Sequence, residues 1–212
     1  MYKKYPRTLH LPWSPGRSDD DKVLDGVEHF VGKEIIVTEK LDGENTTMYR
    51  DHIHARSIDS KHHPSRTWVK AEHGRIQSDI PEGWRICGEN VYAKHSIHYR
   101  GLTAYFYVFG IYNDQDLCLS WNDTEEYATL LGLQMAPVLY RGSWDEKEVR
   151  DCWTGESCYD AEQEGYVVRL ASSFKYEDFA ISAAKFVRAH HVQTDEFWMS
   201  QPVVPNLLAP ME

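Results

Sequence analysis

The period of the apolar positions changes several times along the chain, and each change marks an expected element. Residues 1–18 have no period: Pro6, Pro12, Pro15 and Gly16 read as an extended, turn-rich segment. Val23, Leu24, Val27, Phe30 and Val31 then recur at three- and four-residue spacing behind Asp19, Asp20 and Asp21. That predicts an amphipathic helix with acids at its positive end. From Glu34 to Lys40 the run is β-branched and predicts a strand. Leu41-Asp42-Gly43 predicts a turn, and residues 45–50 a returning strand in a hairpin. Residues 52–57 alternate and predict a third strand of the same antiparallel sheet.

Helical spacing returns between Trp68 and Ile80. Two further strands are expected at 84–92 and 104–112, the second so apolar that it should be central and buried. Asn122 with Glu125, and Ser143 with Glu146, have capping-box spacing and predict two helix starts, with Gly132 and Gly155 placed to end them. Strands follow at 165–170 and 181–187, then a segment from Ala189 to Met199 with some helical character. Strands outnumber helices without regular alternation, so the expected class is α+β with a mainly antiparallel sheet.

Composition adds limits. The 212 residues, 42% hydrophobic and 26% charged, suit one globular domain spanning 1–212 with its extended N-terminal segment. There is no signal-peptide pattern and no apolar run of membrane-spanning length, so no membrane partner is expected. Four cysteines without a Cys-x-x-Cys pair point to reduced thiols in a cytoplasmic protein. A net charge of −10 argues against nonspecific coating of nucleic acid, which requires a Lys/Arg surface. It leaves room for a local basic cleft.

The chemistry concentrates at Glu39-Lys40-Leu41-Asp42-Gly43-Glu44-Asn45. A lysine that ends an apolar strand beside a tight turn is held rigidly with its amine at the rim of a sheet, as a nucleophile should be. Attack on phosphorus needs the neutral amine, so the pocket is expected to lower its pKa by desolvation, neighbouring cations or a metal. Gly43 would let backbone amides approach a nucleotide. Taken alone, Lys40 fits an exposed hairpin lysine equally well. Phe109 fits a core position, and Arg56, Lys185 and Arg188 fit surface charges. Glu89 and Glu164 sit among apolar strand residues, where a carboxylate is uncommon unless partnered. The eleven histidines, His62-His63 and His190-His191 included, lack metal-ligand spacing. The polar loop with His62, His63, Ser65 and Arg66 has residues suited to gripping phosphate.

The ordered set resembles the covalent nucleotidyltransferases, the superfamily of ATP-dependent DNA and RNA ligases and capping guanylyltransferases. Glu39-Lys40-Leu41-Asp42-Gly43 looks like the nucleophile motif, and Arg56-Ser57 like the next, which contacts sugar or phosphate. Gly88-Glu89-Asn90 resembles the motif that binds the ribose. The strand around Phe109 resembles the one whose ring stacks on adenine. Glu164 to Arg169 resembles the motif whose acid is tied to a metal, and Ala184-Lys185-Phe186-Val187-Arg188 the one that contacts the α-phosphate. The order holds over residues 34–190.

Asn45 and the apolar run before Phe109 are most similar to the type 2 RNA ligases. That resemblance implies an ATP-grasp-like antiparallel nucleotidyltransferase domain, without room for a C-terminal OB domain. It implies ATP as AMP donor, Mg²⁺ or Mn²⁺ held near Glu164, and an RNA substrate with 3′-OH and 5′-phosphate ends, with an end-processing kinase or phosphatase as a possible companion in RNA repair. Lys40, Glu164 and Lys185 take the catalytic roles by resemblance. Glu39, Asp42, Gly43, Asn45, Arg56, Glu89, Phe109, Lys185 and Arg188 take the nucleotide-binding roles. The chain departs from the pattern at Gly110, where that branch has aspartate, and near Lys185, where a second lysine is usual and Arg188 is the substitute considered. A capping-type guanylyltransferase, a DNA ligase and a noncatalytic nucleic-acid-binding module remain the competing readings.

Overall fold

The structure is a computed structural model that describes residues 1–18, 20–189 and 202–210. Asp19, the His190-His191 pair and the expected segment up to Met199, apart from Ala189, lie outside the described residues. In chain order the elements are β1 (Leu9–His10), β2 (Glu34–Lys40), β3 (Glu44–Tyr49), β4 (Ile53–Ala55), α1 (Thr67–Ile76), β5 (Arg85–Asn90), β6 (Phe106–Tyr112) and β7 (Leu117–Cys118). Then come α2 (Trp121–Leu130), β8 (Gln134–Met135), β9 (Val138–Ser143), α3 (Glu146–Asp151), β10 (Gly165–Leu170), β11 (Phe174–Lys175) and β12 (Ala183–Val187).

The mixed, mainly antiparallel pattern is present, but as two sheets. One has the order β1-β12-β10-β2-β9, and the other β11-β7-β6-β5-β3-β4 with β8 beside β6. Among the strand pairs of the described residues, only β1–β12 and β6–β8 are parallel. The expected hairpin is therefore corrected: β2 pairs with β10 and β9, and β3 with β5 and β4. The turn at 41–43 carries the chain from one sheet to the other. Its geometry explains this, because a Cβ on Gly43 would lie 2.5 Å from the Asn90 carbonyl oxygen. The turn is pressed onto the end of β5, and only glycine fits there.

Ile35, Ile36 and Val37 of β2 are all fully buried, as expected of a β-branched run in a strand with neighbours on both sides. Each such side chain contributes roughly 1.5–3 kcal/mol relative to exposure. On the second sheet Met48, Ile86, Val108 and Ile111 pack against Val69 and Ile76 of α1 and Ala128 beside Leu131 at the end of α2. That leaves the opposite face of β5 and β6 turned toward the first sheet.

Several expectations need correction. Residues 23–31 form turns instead of a helix, because the backbone is drawn into tertiary pairing: His10 N–H donates to Lys22 O at 2.9 Å and Leu24 N–H to His10 O at 2.8 Å. Leu24 and Phe30 are nonetheless buried, so the spacing marked core positions correctly. Helix α2 is capped by Ser120, whose Oγ accepts from Asp123 N–H at 3.2 Å, and not by Asn122. Asp145 caps α3, accepting from Lys147 N–H at 2.8 Å, because Ser143 is occupied as the last residue of β9. Gly132 follows α2 at φ +67, whereas Gly155 lies beyond the Cys152 end of α3 and does not terminate it.

Candidate active site

Strand pairing puts the reactive side chains on one face. Thr38 of β2 pairs with Val167 of β10, which pairs with Lys185 of β12, which pairs with His10 of β1. Alternation then places Lys40 and Arg169, each two residues along, on the face that carries Thr38, Val167 and Lys185. These five line a cavity of about 730 Å³ between the sheets, whose other wall includes Asn45, Glu89, Tyr107 and Phe109. Lys40 is the last residue of β2, opposite Gly165, and Glu164 is the residue before β10 begins.

Lys40 Nζ donates to Glu164 Oε2 at 2.6 Å, with the lysine side chain 25% and the glutamate 6% exposed. Burial alone works to lower the lysine pKa, yet the Glu164 and Glu89 carboxylates and Asp42 outweigh it and hold the amine above its ordinary value. The expectation of a lowered pKa is thus corrected for the protein by itself, because acids and not cations are its nearest neighbours. Burial pushes Glu164 up to about 7 against the opposing pull of Lys40, and pushes Glu89 up to about 8. Lys185 is shifted down by burial, by Lys40 and, less strongly, by Arg56. Lys40, Glu164 and Lys185 from the first sheet therefore face Glu89 of the second across the cavity.

Phe109 owes its position to a bulge. Cys87 pairs with Gly110 and Gly88 with Val108, which leaves Phe109 as the extra residue of β6. Bulges re-aim side chains beside functional sites, and Phe109 is the one residue of the strand that is not buried. Its carbonyl accepts from Arg169 Nη1 at 3.2 Å, and Arg169 Nη2 reaches Leu119 O at 2.8 Å. Arg169 thereby ties β10 to the second sheet at this end. Gly110 lies beside it, with Arg169 Nη1 3.8 Å from the place a Cβ would occupy. Tyr5, from the N-terminal segment, meets Phe109 edge-on at 4.9 Å between ring centroids.

The remaining candidates divide. Gly43, Asn45, Arg56 and Glu89 all border the cavity, and Asn45 Oδ1 is buried without a hydrogen-bond partner among the described residues. Glu39 also borders it, although its carboxylate accepts from Cys158 N–H at 2.9 Å, on the side of β2 away from Lys40. Asp42 faces elsewhere. Its Oδ2 accepts from Ser96 N–H at 2.8 Å, Ser96 Oγ at 2.7 Å and Ile97 N–H at 2.8 Å, so it clamps the turn to the loop before Tyr99. Arg188 pairs with Glu162 at 3.0 Å and does not line the cavity, so it is not brought beside Lys185. Arg66 is engaged by Glu44, with Nε to Oε2 at 2.6 Å, and both border the cavity.

Thr38 and Tyr5 are cavity residues outside every motif, while Val167, Arg169 and Tyr107 lie within motifs but were given no role of their own. Counting by twos from Lys40 finds Thr38, but nothing local marks Tyr5. A buttress was also missed. Asn206, fully buried, accepts from Tyr99 N–H at 2.9 Å and donates to Val91 O at 2.8 Å, while Tyr99 Oη accepts from Asp42 N–H at 2.8 Å. The segment 202–210 thus braces the loop that braces the Lys40 turn.

Among the described residues no group of three or more His, Cys, Asp or Glu has metal-holding geometry, and no helix is long and apolar enough to cross a membrane. The donors present are the buried carboxylate of Glu164 and the half-buried carboxylate of Glu89. That fits a hard divalent cation that takes its other ligands from phosphate and water, as magnesium commonly does.

Comparison with known proteins bears on the family and the fold. Residues 33–187 match the sequence model of the family described as RNA ligase. The fold is similar to Naegleria gruberi RNA ligase with PPi, at 20% identity and a TM-score of 0.55, covering 76% of this chain and 51% of that one. It is likewise similar to a variant of that enzyme with ATP and Mn, at 20% identity and a TM-score of 0.57, covering 80% and 54%. This chain therefore spans about half the length of the solved structures it matches. No curated protein matches it.

Proposed function

This chain belongs to the RNA ligase family, and from that premise we propose that it seals 3′-OH and 5′-phosphate RNA ends through an AMP carried on Lys40. The observation that carries the reading is the 2.6 Å contact of Lys40 Nζ with Glu164, at the wall of a cavity that also holds Lys185, Glu89, Arg56 and Phe109. Nucleophile, phosphate cations, ribose acid and base-facing ring all open on one space between the sheets. The protein works in the cytoplasm as one nucleotidyltransferase domain preceded by its extended N-terminal segment.

In the first step Lys40 Nζ attacks the α-phosphorus of ATP. The ammonium first gives up one proton to free its lone pair; a nitrogen–phosphorus bond then forms, the bond to the leaving pyrophosphate breaks, and a second proton leaves the nitrogen. Glu164 is the acceptor already in contact for the first of these protons. Lys185 and Arg56 offset negative charge at the transferring phosphate. Phe109 faces the base, and Glu89 the ribose. Next, a 5′-phosphate oxygen attacks the adenylyl phosphorus and releases Lys40. Finally the 3′-OH attacks the activated 5′-phosphorus and AMP departs. Asn45, with its unpartnered Oδ1 beside Glu89 in register, orients that hydroxyl end. A divalent cation, Mg²⁺ or Mn²⁺, would be held by Glu164 and supplies charge neutralisation on phosphate oxygens.

Incubation with ATP labelled at the α-phosphate is expected to label the protein and to leave Lys40→Ala unlabelled. Labelled Lys40→Ala would remove the assignment. Parallel reactions with GTP, nicked DNA, nicked RNA duplex and single-stranded RNA separate this function from a guanylyltransferase and a DNA ligase. Only ATP should label, and only an RNA end should be joined.

A further inference from the structure

The N-terminal segment crosses from one sheet to the other past the mouth of the cavity. Lys3 pairs with Asp116, and its N–H donates to Tyr49 Oη at 2.8 Å, on the side of the second sheet. Tyr176 Oη donates to Lys4 O at 2.7 Å, and at Leu9 the chain enters the first sheet as β1. Between these anchors a second, shallower hollow continues outward from the nucleotide cavity. Tyr5, Pro6, Arg7, Arg56 and Ser57 border both, and Lys4 and Tyr176 complete the outer hollow.

The charge of this hollow runs against that of the molecule. The chain carries a net charge of −10, so its general field repels polyanions. The hollow contains Lys4, Arg7 and Arg56 and no carboxylate. All three side chains are exposed, and none is in an ion pair among the described residues. Among the described residues their side chains make one hydrogen bond, from Arg7 Nη1 to the backbone oxygen of Asp20 at 3.2 Å. Lys3, by contrast, is neutralised by Asp116. Arg56 is close enough to Lys185 to help lower its pKa, so the positive charge continues from the reacting centre to the rim.

We propose that this hollow, built by Lys4, Arg7, Arg56 and the Ser57 hydroxyl, binds backbone phosphates of the RNA strand next to the end being joined. The inference rests on the ligase reading given above. An acidic protein must hold a polyanion with a few placed cations, and guanidinium groups on phosphate give short, charge-assisted, bidentate bonds. The hollow is at the solvent end of the cavity, where a strand longer than one nucleotide must leave it. The Tyr176–Lys4 bond uses the Lys4 backbone, so changing the side chain leaves the anchor intact.

The test is fluorescence anisotropy of a 5′-phosphorylated RNA oligonucleotide without ATP, at several salt concentrations, for wild type and the double variant Lys4→Gln, Arg7→Gln. Loss of two phosphate contacts should lower the salt slope by about 1.4 and weaken binding roughly tenfold near 0.1 M salt. Labelling by ATP should persist. A control with the same change in net charge, Arg141→Gln with Lys147→Gln on the far surface, should bind RNA as wild type does. Unchanged RNA binding and slope in the Lys4/Arg7 variant would overturn the proposal. So would a loss of ATP labelling with RNA binding intact, because the hollow would then serve the outer phosphates of the nucleotide. An equal loss in the control would reduce the effect to general charge. Failure of the ligase reading would instead show as labelling that survives Lys40→Ala, which the RNA titration does not measure.

Discussion

Lys40 sits among acids, and the direction of its pKa shift follows from that. Glu164 at 2.6 Å, with Glu89 and Asp42 nearby, stabilises the ammonium form more than burial disfavours it. Burial at the same time pushes Glu164 up to about 7 and Glu89 up to about 8, against the pull of Lys40. For Glu89, raised from an ordinary 4.5, the contribution to stability is present below that value and is lost as pH rises toward about 8. Glu89→Gln removes the penalty of ionising this half-buried acid. It should melt like wild type at about pH 4 and above wild type at about pH 9. A gain on the order of 1 kcal/mol corresponds to roughly 2–4 °C. A melting difference that does not change with pH, followed by calorimetry or circular dichroism, would contradict this account of Glu89. Resemblance to the family's motifs marked Lys40, Glu89, Glu164 and Lys185, although taken singly Lys185 reads as a surface charge. The sign of the Lys40 shift was not legible, because it depends on which acids two separate sheets bring to the amine.

At the scale of elements, β10 begins and ends where its apolar pattern predicts, and β2 likewise. What the pattern did not reveal was partnership. A β-branched run before a tight turn suggests a hairpin, yet the space around Gly43 fits a turn pressed against the end of β5, between two sheets. Short strands such as β1, β7 and β8 have too few residues to show a period. The bulge at Phe109 is equally invisible from sequence, because it arises from the offset between β5 and β6. That bulge decides whether Phe109 is core or cavity. If its ring stacks on the base, Phe109→Leu should raise the ATP concentration for half-maximal labelling roughly tenfold, as expected for loss of about 1–3 kcal/mol of stacking. The maximal labelling rate should change little. An unchanged ATP requirement would return Phe109 to a packing role.

Over the whole molecule, the two sheets face each other across the cavity and are tied by Arg169 at one end and by the Lys40 turn at the other. Segments distant in sequence complete the arrangement: residues 3–8 cross the mouth, and Asn206 braces the loop that holds Asp42 through Tyr99. Neither brace carries a motif, so neither was legible before the fold, whereas the ordered set from Glu39 to Lys185 was. The net charge of −10 fits a molecule that meets nucleic acid at one confined place instead of over a broad surface.

The most direct test of the central claim is mass spectrometry of the intact protein after incubation with ATP and a divalent cation, followed by peptide mapping. The mass of one adenylyl group should be added, it should map to Lys40, and addition of pyrophosphate should remove it. An unmodified protein under conditions in which it joins RNA, or an adenylyl group mapped to a different lysine, would contradict the account.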